Sequence, residues 1–374
     1  MYLEPQKRRR KGSIWRWVLS FIVAFIAAWY LYSKQAAVVE TIRGPLPTPT
    51  PTEISAPEHV IVGDDLFEHG KYAEAIAEYS RATELDPTLS VAYARWGRIL
   101  ALRQESDEAL RIVRRAVELD AESAENQAIL GMVLDWNGQV AEAVGAALKA
   151  TKIDPNYALG YAYLAEAYGD YGRVGDAYEM AQQAVDIESS VFTHRNLGYI
   201  YELMGRYDDA IYEYETAIDL NPNHAFVYLD PGRNYRALNN LEEAAYQFER
   251  ATQADPKDPH GYDQLGWTYF SEQLYELAAI ELEKAIQLDP DYAIAYGHLG
   301  VTYYVQRNYE KAIVHFEKAI DLGLRSEEYC YELGFCYAYL DDCDKAIPWF
   351  EEALSLNPNS IVALQGIAYC QEGD

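Results

Sequence analysis

The chain has 374 residues and a formal net charge of −28, and half of its residues are hydrophobic. The charge is divided unevenly, because residues 1–55 hold eight basic and three acidic residues while the rest of the chain holds 23 and 56. An excess of carboxylates repels phosphates, so this acidity argues against nucleic-acid binding. Two explanations of the acidity stay open: solubility of a large surface, or attraction of a basic partner.

An apolar stretch near the N-terminus predicts a membrane anchor. A basic cluster at residues 7–11 precedes it, and residues 14–32 are long enough to cross ~30 Å of hydrocarbon. Aromatic residues lie at both ends, as expected at membrane interfaces: Trp15, Trp17, Trp29, Tyr30 and Tyr32. We therefore predict a basic tail over residues 1–13 and one transmembrane helix over residues 14–32.

A cleaved signal sequence is the alternative to an anchor. It requires a small-x-small site after the apolar stretch, and residues 33–37 offer only a weak one. Arg9 and Arg10 suggest a twin-arginine signal, but the rest of that motif is missing. We favour an uncleaved anchor. Because positive charge precedes the span, we expect a cytoplasmic N-terminus and repeats outside the cell membrane.

Residues 33–55 are predicted to be a linker. The segment contains GPLPTPTPT, and proline-rich chains of this kind prefer extended conformations without a core.

The remainder of the chain repeats with a period of 34 residues, which Pro222, Pro256 and Pro290 make visible. Each proline ends a second helix, because it lacks an N–H donor. A small residue recurs where two helices approach at ~8–10 Å. This slot is filled by Gly63, Gly97, Gly131, Ala165, Gly198, Gly232, Gly266, Gly300 and Gly334. Such periodicity predicts a helical solenoid.

Residues 259–292 carry the pattern Y-x2-L-G-x2-Y, then A-x3-L-x2-A, then P, and this pattern resembles the tetratricopeptide repeat. The resemblance covers nine units over residues 56–360, and residues 361–374 look like a terminal capping helix. It implies an all-α fold: an α-solenoid of about nine tetratricopeptide-like helix–turn–helix repeats in a right-handed superhelix. One transmembrane helix would precede the solenoid.

Pro231 interrupts the pattern inside the first helix of the sixth unit. Two outcomes are open. The helix is kinked where Pro231 removes the bond to the carbonyl of Val227, or it restarts at Asp230 and Pro231 as a cap and first residue. Either outcome is expected to distort the groove.

The resemblance also implies a binding groove lined by the first helices. The family's groove positions fall here on ten residues that we predict to bind a partner: Arg195, Tyr199, Arg233, Arg236, Asp263, Trp267, Phe270, Tyr304, Tyr331 and Phe335. The same positions also place Phe192, Phe226, Asp135 and Trp136 in the groove. Arginine and aromatic side chains often anchor interfaces. The alternative is that the rings pack between repeats and the arginines pair with local carboxylates.

No catalytic motif is present: the sequence has no glycine-rich phosphate loop, no HExxH and no nucleophile elbow. We therefore expect no enzyme activity and no cofactor. Cys330, Cys336, Cys343 and Cys370 are separated by five, six and 26 residues, which does not fit a two-CxxC metal site. Disulfides in any of the three possible connectivities and buried free thiols remain alternatives. Cys336 and Cys370 occupy equivalent positions in successive first helices, and Cys336 and Cys343 flank one turn between helices.

These patterns favour a non-enzymatic, membrane-anchored scaffold that binds a peptide or protein partner in the groove. The alternative is an accessory subunit of cell-envelope glycan or lipid metabolism with a carbohydrate-binding groove, because aromatic rings also stack on sugars.

Overall fold

The computed structural model describes residues 13–43 and 54–372, and within those residues it contains twenty α-helices and no strand. In chain order they are α1 (Ser13–Arg43), α2 (Ala56–Glu68), α3 (Tyr72–Leu85), α4 (Ser90–Leu102), α5 (Ser106–Leu119), α6 (Ala124–Trp136), α7 (Val140–Ile153), α8 (Ala158–Asp170), α9 (Val174–Ile187), α10 (Val191–Leu203), α11 (Tyr207–Leu220), α12 (Phe226–Ala237), α13 (Leu241–Ala254), α14 (Pro259–Ser271), α15 (Tyr275–Leu288), α16 (Ala293–Val305), α17 (Tyr309–Asp321), α18 (Glu327–Tyr339), α19 (Cys343–Leu356) and α20 (Ile361–Glu372). The chain divides into two compact units between Ile54 and Ser55.

In its described residues, the first unit contains the single helix α1. Its segment Trp15–Lys34 is long and apolar enough to cross a membrane, although a signal sequence would meet the same criteria of length and composition. The helix continues through Arg43, so the first eleven residues of the predicted linker are helical. The predicted basic tail, except Ser13, and the Pro/Thr-rich residues 44–53 lie outside the described residues.

The second unit consists of nine helix pairs, α2/α3 to α18/α19, which we number as repeats one to nine, followed by α20. Each pair closes where a second-helix side chain packs against the small slot of the first helix. A Cβ atom added to Gly300 would lie 2.6 Å from the ring of Phe316, and one added to Gly232 would lie 2.6 Å from Phe248. These glycines therefore set the distance between the paired helices, as the 34-residue pattern predicts.

Pro231 lies inside a continuous helix, so the predicted restart at Asp230 is wrong. Helix α12 begins at Phe226 with two short-range bonds, from the Val227 amide to the His224 carbonyl and from the Tyr228 amide to the Ala225 carbonyl. A proline within a helix costs about 3 kcal/mol. Residues 226–232 are all buried, and we attribute the continuity of the helix to this packing.

A disulfide joins Cys343, at the start of α19, to Cys370 in α20, with Cα atoms 5.5 Å apart. Cys330 and Cys336 are free and buried. Neither of the two pairings of Cys336 named from the sequence is formed, because Cys336 packs within the core of repeats seven to nine while Cys343 begins the helix next to α20. The bond formed belongs to another of the three connectivities left open. The bond fastens the last helix to repeat nine and contributes about 2–4 kcal/mol in typical cases.

Two leucines of α15 provide a test of this packing. Leu282 is fully buried and contacts Gly266, whereas Leu277 is 44% exposed. We expect Leu282→Ala to lower the free energy of opening α15 by about 2–5 kcal/mol, and Leu277→Ala to change it by about 0.5 kcal/mol or less. Hydrogen exchange of the α14–α16 amides measures both values. Equal effects of the two substitutions would contradict the packing described here.

Candidate functional site

The ten predicted groove residues fall into two groups with different surroundings. Arg195, Tyr199, Arg233 and Arg236 lie in repeats five and six, where the chain folds back on its own first repeat. The other six lie in repeats seven to nine: Asp263, Trp267, Phe270, Tyr304, Tyr331 and Phe335.

Repeat one contacts repeats five and six across about 150 residues of sequence. The hydroxyl of Tyr72 lies 2.9 Å from Nδ1 of His224, and both groups are buried. The side-chain amides of Asn221 and Asn223 donate to the backbone carbonyl of Glu68 at 3.0 and 3.2 Å. We call this set of interactions, together with the rings described next, the closing contact.

Aromatic side chains fill the interior of the closing contact. The ring of Phe67 lies 4.7 Å from that of His224 and 6.3 Å from that of Phe192. The guanidinium of Arg98 lies over Phe67 and Phe192, at 4.6 and 5.4 Å from the ring centroids. Phe192 and Phe226 are less than one-tenth exposed, so these predicted groove positions are covered by the chain itself.

A cavity of about 360 Å³ remains between repeat two and repeats five and six. We call it the arginine pocket; it is lined by Ala101, Leu102, Gln104, Ser106, Trp136, Arg195, Phe226, Leu229, Asp230 and Arg233. Nε of Arg195 lies 2.7 Å from Asp230, and Nη1 lies 3.3 Å from Glu166. The guanidinium also lies 5.3 Å from the ring centroid of Trp136.

The other two arginines of this group have fewer carboxylate partners than Arg195. Arg233 is an exposed residue and pairs with Asp230. Arg236 donates to Gln264 at 2.8 Å and lies over the ring of Phe248. Burial lowers the pKa of Arg236, and the like charge of Arg233 lowers it further. Arg195 and Arg233 thus pair with carboxylates, which is the alternative that the sequence left open for the arginines.

Tyr199 belongs to a carboxylate-rich part of the groove beside the arginine pocket. Its hydroxyl donates to Asp170. Asp135 of α6 is buried, and within the described residues neither of its carboxylate oxygens has a hydrogen-bond partner. Burial, followed by the charges of Glu166 and Asp170, raises the pKa of Asp135 to about 8.

The groove of repeats seven to nine carries partly exposed rings. We call Trp267, Phe270, Tyr304, Tyr331, Phe335 and Tyr339 the aromatic wall; Tyr339 is 43% exposed and the others are half-buried. The rings of Trp267 and Phe270 are parallel, 4.6 Å apart, and those of Phe335 and Tyr339 are stacked at 5.6 Å. Each of these two pairs lies within one helix, α14 or α18, and all six rings remain partly exposed.

Asp263 lies beneath the aromatic wall and is fully buried. It is 2.8 Å from Nδ1 of His298 and accepts a hydrogen bond from the Tyr292 hydroxyl at 3.3 Å. The imidazole of His298 in turn stacks on Trp267 at 4.1 Å. Asp263 therefore positions a ring of the wall and is not itself displayed.

Glu332 was missed by the prediction, because it is not at one of the family's groove positions. It lies in α18 between Tyr331 and Phe335, and it is 8% exposed. A carboxylate inside an otherwise aromatic helix, CYELGFCYAY, is the sequence signal that could have identified it.

Within the described residues, no group of three or more His, Cys, Asp or Glu side chains is arranged to hold a metal ion. The geometry is that of a helical-repeat protein whose first helices bury aromatic rings in repeats one, five and six and leave them partly exposed in repeats seven to nine.

Comparison with protein families identifies the repeats. Models of the tetratricopeptide repeat match residues 189–257, 293–322 and 327–360, and a TPR repeat model matches residues 63–95 and 266–307. The chain belongs to the tetratricopeptide repeat family. The repeats indicate a protein–protein interaction scaffold and protein partners. No curated protein sequence matches the chain.

Three solved structures share the fold. A chain of the APC/C hetero-tetramer Cut9–Hcn1 aligns with a TM-score of 0.62 and 16% identity, and the alignment covers 84% of this chain and 66% of that one. The human IFIT1 dimer with PPP-AAAA aligns with a TM-score of 0.56 and 15% identity, and the alignment covers 82% of this chain and 91% of that one. PilF of Pseudomonas aeruginosa aligns with a TM-score of 0.52 and 19% identity, and the alignment covers 57% of this chain and 98% of that one. At these identities the likeness establishes the fold alone.

A pair of glycines tests the closing contact. Gly70 and Gly138 occupy equivalent turns with φ of +70° and +71°, but a Cβ at Gly70 would clash with the Asn223 carbonyl, whereas at Gly138 nothing lies within 4 Å. Both alanine variants carry the same backbone strain. We expect only Gly70→Ala to speed hydrogen exchange in segments 67–72 and 191–196. Equal exchange in both variants would show that the contact does not hold these segments.

His224 makes the closing contact sensitive to acid. Burial, and then the charge of Arg98, lowers its pKa to about 4 from an ordinary value near 6.5. Neutral His224 therefore stabilises the contact fully above pH 6.5, and this stabilisation is lost as the pH falls through 4. The loss approaches about 3 kcal/mol.

The measurement is the protection of Tyr72 and Phe192 amides relative to a His224→Gln variant between pH 7 and pH 4. The ratio of protection in the native chain to protection in the variant should decrease as the pH is lowered from 7 to 4, because a protonated imidazole cannot accept the hydrogen bond from Asn221. A ratio independent of pH would refute the assignment.

Proposed function

We propose that the chain is a non-enzymatic, membrane-anchored scaffold that holds an extended segment of a protein partner along the aromatic wall. The observation that supports this proposal most directly is the row of partly exposed rings from three consecutive repeats. Large rings that combine apolar surface with little side-chain entropy are the usual anchors of protein interfaces.

The spacing of the repeats suits an extended chain. Neighbouring helices pack about 10 Å apart, and an extended peptide advances about 3.3 Å per residue. One ring cluster per repeat therefore corresponds to every third residue of a bound segment. The wall spans repeats seven to nine, which gives room for a segment of about nine residues.

The closing contact directs the partner to this half of the groove. In repeats one, five and six the face is occupied by Phe67, Phe192 and Phe226, which are buried against one another or their neighbours. The cavities that remain in this half are the arginine pocket, of about 360 Å³, and one of about 380 Å³ that Phe67, Phe192 and His224 help to line; volumes of this size suit a side chain better than a peptide. The long, partly exposed surface is the aromatic wall.

Anchoring and orientation are part of the same proposal. The apolar segment Trp15–Lys34 would cross the membrane, and the basic residues 7–11 would remain in the cytoplasm. The Cys343–Cys370 disulfide supports an oxidising location for the repeats, because such bonds are rare in reducing cytosol.

The glycan-binding alternative has less support. A sugar stacks on a free ring face, and Trp267 already has Phe270 and His298 parallel to it within 4.6 Å. No observation in the described part of the chain favours a carbohydrate over a peptide.

Removal of wall rings tests the scaffold proposal. Crosslinking in membranes with the full chain as bait identifies partners, and we expect the double variant Tyr304→Ala, Phe335→Ala to reduce the recovery of a groove partner at least roughly tenfold, because buried aromatic anchors contribute about 2 kcal/mol or more each. Tyr212→Ala, at a tyrosine that is 68% exposed on α11, is the matched control and should have no effect. A partner retained by the double variant but lost with Tyr212→Ala would refute the proposed site.

Topology has a separate test. An alkaline phosphatase fused to the C-terminus should be active, since the enzyme requires an oxidising compartment. In protein alkylated under denaturing conditions, Cys330 and Cys336 should react at once and Cys343 and Cys370 only after reduction. An inactive fusion together with four reactive thiols would place the repeats in the cytoplasm.

A further inference from the structure

Glu332 is a charged group in the aromatic wall that the proposed function leaves unexplained. It is 8% exposed, and its Oε2 atom is buried without a hydrogen-bond partner. Among the described residues it forms no ion pair within 4 Å. Burying a carboxylate without a partner costs several kcal/mol, so such groups are normally paired or serve a function.

Three other buried carboxylates on the first helices of the same array have partners. Asp230 pairs with Arg195 and Arg233, Asp263 lies against His298, and Glu166 accepts from Trp136 and Arg195. Asp135 of α6 resembles Glu332 in having no partner. Glu332 lies in α18 together with Tyr331 and Phe335, two rings of the aromatic wall.

The rings near Glu332 are those of the groove. Tyr304, Tyr329, Tyr331 and Phe335 pack against one hydrophobic cluster, and Glu332 follows Tyr331 directly in α18. Tyr304 belongs to α16 and Tyr331 to α18, and both are half-buried. The carboxylate is therefore a buried group on the helix that supplies Tyr331 and Phe335 to the aromatic wall.

A carboxylate framed by aromatic rings is suited to a cation. Rings attract ammonium and guanidinium groups through their negative faces, at about 2 kcal/mol or more where water is excluded. A hydrogen bond from a cation to a carboxylate is about twice as strong as a neutral one. The excess of acidic residues after residue 55 also attracts cationic segments from a distance.

We infer that Glu332 is the binding site for one lysine or arginine side chain of the partner segment, with Tyr304 and Tyr331 packed along that side chain. The inference rests on the proposed function, since it names the chemistry of the segment that the wall holds. Glu328, on the same helix, is the charged group that raises the pKa of Glu332 after burial, and Glu332 in turn contributes to the raised pKa of Tyr304 on α16.

Binding can be measured with defined peptides on the full chain in a non-ionic detergent. The probes are a blocked (Ala-Lys)5 peptide and the same peptide with Nε-acetyl-lysine, which keeps the side-chain stem and removes the charge. Glu332→Gln mimics the neutral acid in shape. Glu328→Gln is the matched control, because it removes the same charge one turn away from an exposed position.

We expect the lysine peptide to bind, the acetylated peptide to bind at least tenfold more weakly, and Glu332→Gln to weaken binding at least tenfold. Glu328→Gln should change affinity by less than threefold at physiological salt, because exposed charges are screened. Loss of affinity in Glu328→Gln as large as in Glu332→Gln, equal binding of the acetylated peptide, or no binding of the lysine peptide at millimolar concentration would each overturn the inference.

A second readout needs no variant. Burial, followed by the charge of Glu328, raises the pKa of Glu332 to about 8, so the group is largely neutral at pH 7 and must ionise to pair with a cation. Calorimetry in buffers of different ionisation enthalpy should therefore show up to one proton released per lysine peptide bound. No proton release would contradict the inference.

The two levels of the proposal can fail separately. If the partner captured from membranes depends on Tyr304 and Phe335 but is unaffected by Glu332→Gln, the groove assignment stands and the cation site is wrong. If the partner is unaffected by either change, the groove assignment itself is wrong.

Discussion

The packing of one second-helix side chain against one small first-helix residue determines the geometry of each repeat. In repeats one, five, six, eight and nine the side chain is a ring, as with Phe316 against Gly300. In repeats two to four the second-helix residues at the equivalent positions are Val113, Ala147 and Ala181. Helices separated by smaller side chains pack closer together, and these three repeats lie between the two sides of the closing contact. Small differences per repeat add up along a solenoid, and after four repeats Tyr72 and His224 lie 2.9 Å apart.

The closing contact gives the two halves of the groove different chemistry. In the first half, the faces of repeats one, five and six bury rings and ion pairs, so Arg195 serves the protein's own packing through Asp230 and Glu166. In the second half, the rings of repeats seven to nine pack on neighbours such as His298 and Tyr309 and remain partly exposed. This half therefore carries partly exposed rings together with Glu332, whose buried Oε2 atom has no hydrogen-bond partner.

Contacts within one repeat could be predicted from the sequence, and contacts between distant repeats could not. The glycine slots and the helix pairs follow from spacing within 34 residues, and the tetratricopeptide models confirm the family. The pairing of Tyr72 with His224 depends on the summed rotation of four repeats, which no local pattern encodes. The continuous helix through Pro231 depends on burial of its neighbours, and the Cys343–Cys370 bond on how α20 docks. Glu332 was not among the predicted groove residues, because it does not lie at one of the family's groove positions.

Photocrosslinking in intact membranes tests the central claim, that the partner lies in the open half of the groove. A benzoylphenylalanine at position 331, in the aromatic wall, is compared with one at position 226, in the half covered by the closing contact. We expect a partner crosslink from position 331 and none from position 226. A crosslink from position 226 with none from position 331 would contradict the division of the groove.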